Sequence, residues 1–128
     1  MDYIRVYKFK FDIEPKAKGR PRFSRGRTYT PGSTIKAEAE IRRQARSQFF
    51  FSPLTSAVGI RANFQFTKAK SNKSKYMVKR PDIDNVLKLF GDALNGVVWK
   101  DDSQIIKCEV VKTYGSKGLI EMEVFEYE

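Results

Sequence analysis

The segment from Val58 to Phe66 restricts the fold most. Val58, Ile60, Ala62, Phe64 and Phe66 alternate with Gly59, Arg61, Asn63 and Gln65, the period-2 pattern of a strand. A strand needs partners, and the flanking chain supplies them. Tyr3 to Ile13 also alternates, with Tyr3, Tyr7, Phe9, Phe11 and Ile13 on one face and Lys8, Lys10 and Asp12 mostly on the other. Between these strands, Ser33 or Thr34 caps a helix predicted to run to about Phe50, with Ala37, Ile41, Ala45 and Phe49 as its buried stripe. Arg42, Arg43 and Arg46 belong to its solvated face.

Downstream, Pro81 marks a helix start. Ile83, Val86, Leu87, Phe90, Ala93 and Leu94 form the core side of that helix, and Asn95-Gly96 closes it. Gln104 to Thr113 and Leu119 to Tyr127 read as strands joined by a hairpin loop, Tyr114 to Gly118. The order β-α-β-α-β-β predicts an α/β (α+β) class: one small domain, residues 1–128, with a mixed sheet packed by two helices. A chain of 128 residues, 41% hydrophobic with ten Phe and six Tyr, has material for one such core. No apolar run approaches the length of a membrane span, and the N-terminus lacks a signal-peptide pattern. A cytoplasmic protein with no membrane partner is the expectation.

Charge is distributed unevenly. The chain carries +10, yet residues 14–31 alone net +5 and residues 67–80 net +6, leaving the remainder at −1. The first segment contributes Lys16, Lys18, Arg20, Arg22, Arg25 and Arg27; the second contributes Lys68, Lys70, Lys73, Lys75, Lys79 and Arg80. Both are expected as flexible basic loops, about 15–31 and 67–80. Concentration in two segments suits clamps on a nucleic acid backbone, where counterion release drives affinity. Phe23 and Tyr29, set among the first group, suit contact with unstacked bases.

Two absences narrow the chemistry. With no histidine, imidazole bases and Ser-His-Asp arrangements are impossible. Cys108 is the only cysteine, which excludes an internal disulfide and a multi-cysteine zinc site; mid-strand, it reads as a buried structural thiol. Any catalysis must rest on carboxylates, lysines and a metal.

Five of the seven aspartates fall in one run: Asp82, Asp84, Asp92, Asp101 and Asp102. Clustered carboxylates repel one another unless a cation intervenes, and Mg2+ is commonly held by one or two carboxylates plus phosphate oxygens. Asp82 and Asp84 stand at the helix entrance, where extended backbone points both the same way. Lys88, one turn beyond Asp84, can meet a phosphate that the metal holds. Asp101-Asp102 arrives just before a strand expected alongside. Such a nest would turn bound water into a nucleophile against a phosphodiester. Capping by Asp82 and Asp84, a plain turn at Asp101-Asp102, and a Lys88–Asp92 surface ion pair are the competing structural roles. Trp99 is expected in the core or at its edge. A non-catalytic binder of branched or single-stranded nucleic acid would account for the basic segments but leave the acidic run unmotivated; a flap or fork nuclease is the other alternative.

The run PDIDNVLKLFGDALNGVVWKDDSQI, residues 81–105, resembles the signature of the RusA-type Holliday junction resolvases: Asp-x-Asp-Asn, a lysine four residues past the second Asp, Asp-Ala-Leu, and Asp-Asp before a strand. GRPRFSRGRTYTP, residues 19–31, resembles the family's basic N-terminal loop. The resemblance implies a Mg2+-dependent endonuclease (Mn2+ substituting) that cuts four-way DNA junctions by symmetric paired nicks, acts as a homodimer and is common in prophages. By position it implies that Asp82, Asp84 and Asp102 bind metal, that Lys88 is the essential lysine, and that Asp101 is the first of the acidic pair.

Overall fold

A computed structural model describes residues 2–19, 22–29 and 31–128, apart from the side chains of Arg22 and Tyr29. Its elements are β1 (Tyr3–Phe11), β2 (Arg22–Ser24), β3 (Arg27–Tyr29), α1 (Gly32–Arg46), β4 (Val58–Thr67), α2 (Ile83–Leu94), a 3-10 turn (Asp102–Gln104), β5 (Ile105–Gly115) and β6 (Leu119–Tyr127). The four long strands form one mixed sheet in the order β1-β6-β4-β5. β6 runs antiparallel to both β1 and β4, while β4 and β5 are parallel, joined across α2. This is the α+β domain that the pattern predicts.

The alternation in β4 does what its period requires: Val58, Ile60, Ala62, Phe64 and Phe66 are all buried. In register beside them lie Val124, Met122 and Ile120 of β6, and beyond those Tyr7, Phe9 and Phe11 of β1. Both helices lie against this face. Phe90 of α2 meets the rings of Phe11 (5.4 Å) and Phe64 (5.7 Å), and Ala37, Ile41 and Ala45 bring in α1. Burying a residue of Phe or Ile size is worth about 1.5–3 kcal/mol, so this shared face holds the sheet and helices together. Trp99 is fully buried, its indole N–H donating to Asn95 Oδ1 at 2.9 Å.

Several expectations are corrected. Residues 114–118 do not close a β-hairpin, because β4 lies between β5 and β6. The connection crosses over the end of β4, where Gln65 Nε2 donates to the Lys117 carbonyl at 3.0 Å. A Cβ at Gly118 would fall 2.4 Å from Glu14 Cα, so only glycine lets the crossing pass. The basic segment 15–31 is not merely a loop; β2 and β3 pair as a hairpin whose turn residues Arg25 and Gly26 have φ of 51° and 76°, the left-handed pair a tight two-residue turn requires. α1 ends at Arg46, and its start has no side-chain cap; Thr34 Oγ1 instead accepts from the Gly19 N–H at 3.0 Å. Phe49 still reaches the core beyond the helix end.

Cys108 is exposed. It faces the helix side, beside Ile60, but β5 is an edge strand and the helices do not cover it fully. Ile106, the extra residue at the register shift opposite Val58 and Gly59, is exposed as well. Tyr3, past a register shift in β1, is also exposed.

Candidate active site

α2 enters from Asp82, which is extended (φ −67°, ψ 145°) and sits at the N-cap without making a side-chain cap bond. The helix is started by backbone alone: the Asn85 and Val86 N–H groups donate to the Asp82 carbonyl at 3.1 and 3.2 Å. Capping therefore does not account for the Asp82 carboxylate, which is exposed, as is Asp84. Along the helix, Asp84, Lys88 and Gly91 fall on one flank by their spacing of four and three residues.

Asp102 reaches that flank from the other side. Its Oδ2 lies 3.4 Å from where a Cβ on Gly91 would be, which seats the carboxylate against α2 at that position. The sequence directs it there: Gly96, at φ 79°, turns the chain out of α2, and buried Trp99 fixes the return. The Leu54 N–H donates to the Val98 carbonyl at 2.8 Å, and the Lys100 N–H to the Leu54 carbonyl at 3.1 Å.

Asp101 is engaged in the turn that follows. Its Oδ2 accepts from the Ser103 N–H at 3.0 Å while its own N–H donates to Gln104 Oε1 at 2.9 Å, a capping box on the 3-10 turn. The Ser103 hydrogen bond holds its carboxyl below the usual carboxylate range. Gln104 Nε2 in turn ties the turn to the carbonyls of Leu54 (2.9 Å) and Ser56 (2.8 Å).

Asp92 pairs with Lys18 Nζ at 2.9 Å, not with Lys88. The same ammonium lies 3.4 Å from Glu38 Oε2. Burial pulls the Lys18 ammonium down, but the hydrogen bond to Asp92 and the charges of Glu38 and Asp92 outweigh it, and the net shift is upward. Lys18 thus holds α1 and α2 together, and its backbone N–H donates to the Asn85 carbonyl at 3.1 Å. Beside it, a cleft lined by Ala17, Arg80, Pro81, Asp82 and Asn85 opens at the entrance of α2.

Of the other basic residues, Lys16, Arg25, Arg27, Lys68, Lys70, Lys73, Lys75, Lys79 and Arg80 are exposed. Arg20 lies outside the described residues, and of Arg22 only the backbone is described. Phe23 on the hairpin is exposed as well. The second basic segment is not a free arm throughout. Its last part lies along β5: the Tyr114 N–H donates to the Lys75 carbonyl at 2.9 Å and the Met77 N–H to the Lys112 carbonyl at 3.1 Å.

Among the described residues, no three acidic or thiol side chains stand close enough to enclose an ion. Asp84 and Gly91 are seven residues apart, about 10 Å of helix rise, so Asp102 shares the flank without joining the entrance pair in one cluster. The donor chemistry nonetheless suits Mg2+, which takes hard oxygen ligands and commonly completes its shell with substrate phosphate and water. Asp82 and Asp84 are the residues that would hold it, with Asp102 on the same flank. Sequence reasoning gave no role to Gly91 or Lys112. The signal for Lys112 was a cation at a helix-side position of an edge strand.

Exposed Asp82, Asp84 and Lys88 and half-buried Asp102 thus lie along α2 of an α+β domain that also carries two basic segments. The sequence model of the family described as endodeoxyribonuclease RusA matches residues 12–125, and the chain belongs to that family. It is also 29% identical, over 144 residues spanning 93% of this chain and 95% of the relative, to a Bacillus subtilis (strain 168) protein described as uncharacterized protein YqaN. No helix among the described residues is long and apolar enough to cross a membrane.

Proposed function

We propose that this chain is a Mg2+-dependent, structure-selective endodeoxyribonuclease that resolves four-way DNA junctions by symmetric paired nicks, in recombination and repair in the cytoplasm. The observation that carries this reading is the acidic strip. Asp82, Asp84 and Asp102 border one flank of α2 with Lys88 between them, none of them engaged by the side-chain hydrogen bonds or ion pairs of the described residues. The helix dipole favours carboxylates at the α2 entrance, but it accounts for neither Lys88 nor Asp102 on the same flank, whereas a cation and a phosphate suit all four. When bound, Mg2+ (or Mn2+) supplies a Lewis acid and activates water. Asp82 and Asp84 would hold the ion, with Asp102 on the same flank of α2, and Lys88 would meet a non-bridging oxygen of the scissile phosphate. Arg25 and Arg27 on the hairpin, with Lys68 to Arg80, grip the arms. Paired nicks need two such sites, which a homodimer provides.

The test is a synthetic four-way junction incubated with Mg2+ and with wild type, Asp82→Asn or Asp102→Asn. Wild type is expected to give paired nicks, and each variant to lose roughly 100-fold or more, since even groups behind the ligands are worth about 10–100-fold. Equal rates in all three would remove the site assignment. Junction binding in EDTA with no cutting in Mg2+ or Mn2+ would leave a non-catalytic binder, and faster cutting of flaps or forks would change the substrate class.

A further inference from the structure

Lys112 takes no part in the strip described above, yet its ammonium is placed with care. It stands on β5 opposite Phe64 of β4, on the helix side of the sheet, where burying an unpaired cation would be costly. Instead, Nζ donates to the carbonyls of Lys79 and Pro81, both at 2.8 Å. These carbonyls bracket Arg80, and the second belongs to the residue just before Asp82. The backbone of β5 holds the same stretch upstream through the Lys75 and Met77 bonds and a bridge between Tyr76 and Thr113, and Met77 is buried. Residues 75–81 are thereby pinned along the free edge of β5, with Lys112 reaching beyond the strand pairing into the final turn. Asp82 has no cap bond to orient its side chain, so the backbone that carries it must do so.

We propose that Lys112 is a positioning residue for the metal site: by fixing the carbonyls of Lys79 and Pro81 it sets the backbone from which the Asp82 carboxylate projects beside Asp84. This rests on the nuclease reading. Hydrogen bonds from an ammonium are stronger than those between neutral groups, which suits one side chain to hold a turn that bears the exposed Arg80. Lys112 touches no reacting group; it acts through Asp82.

The experiment measures Mn2+ binding by electron paramagnetic resonance without DNA, together with thermal unfolding and amide hydrogen exchange over residues 77–84. It compares wild type, Lys112→Met and Lys112→Arg. Lys112→Met is expected to bind Mn2+ about 10–100-fold more weakly, the range for removing a group that orients a ligand. Exchange should quicken at 79–84 while the melting temperature stays near that of wild type, and Lys112→Arg should recover much of the affinity. Unchanged Mn2+ affinity in Lys112→Met overturns the proposal, as does a loss that merely follows lost thermal stability with Arg no better than Met. If Lys112→Met does not fold, Lys112→Gln replaces it with the same outcomes. A wild type that binds no Mn2+ without DNA overturns this role; the nuclease reading falls only if wild type also leaves a four-way junction uncut in Mn2+, so the two failures are told apart by the cleavage assay.

Discussion

Adjacent residues of one type end up with opposite roles here. Asp101 faces the Ser103 N–H and stabilises a turn, while Asp102, one peptide on, lies against Gly91. Alternation of side-chain direction in extended backbone, followed at once by a tight turn, separates them. Lys18 shows the same divergence among the cations. Charge alone groups it with the residues proposed to grip DNA, but its ammonium is shared between Asp92 and Glu38, and Glu38 is buried. Lys18→Met would leave that carboxylate without a partner and should lower stability by roughly 1–3 kcal/mol, the cost of an unsatisfied buried polar group, read by urea unfolding. The pH dependence follows from the upward shift of the Lys18 ammonium. Its contribution is fully present below the ordinary lysine value of 10.5 and disappears as pH rises through the higher folded value. The gap between wild type and Lys18→Met should thus hold steady near neutrality and close only in strong alkali.

At the scale of elements, α2 carries both part of the core and the residues proposed for the chemistry. Its apolar side buries Val86, Leu89, Phe90, Ala93 and Leu94, and its other flank carries Asp84, Lys88 and Gly91, the last buried beneath Asp102. Because a Cβ there would meet Asp102 Oδ2 at 3.4 Å, Gly91→Ala fits with ordinary contact. It should stabilise the helix by about 0.5–1 kcal/mol, glycine's usual deficit, with cleavage kept. Gly91→Leu sends further atoms into the space of the Asp102 carboxylate, so cleavage should fall toward that of Asp102→Asn while circular dichroism still reports an intact helix. The series separates helix stability from carboxylate placement, which an aspartate substitution alone does not do. The edge of β5 is managed in a comparable way: residues 75–77 cover a row of backbone groups that would otherwise be open to another strand.

For the molecule as a whole, the excess positive charge lies in two segments on a body that nets −1. Junction affinity should therefore fall linearly with log salt, and each Lys among 68, 70 and 73 changed to Gln should flatten the slope by about 0.9 per lost phosphate contact, with melting temperature unchanged because these side chains are exposed. Fluorescence anisotropy across a salt series measures both. Much of this was legible in the chain itself. Period 2 in β4 and the helical stripes of α1 and α2 named most of the buried residues, Leu89 excepted, because those patterns are local and each residue's face follows from its own backbone. The expected meeting of carboxylates from both ends of residues 81–105 is not found among the described residues. Neighbours are another matter. That β6 lies between β1 and β4, that residues 114–118 cross a strand end, that Lys18 turns inward and that Lys112 holds the approach to Asp82 were decided only by the tertiary structure. A strand's hydrogen-bonding edge accepts any partner strand, and a long cationic side chain any nearby oxygen, so the choice is made by burying the whole set of apolar faces at once.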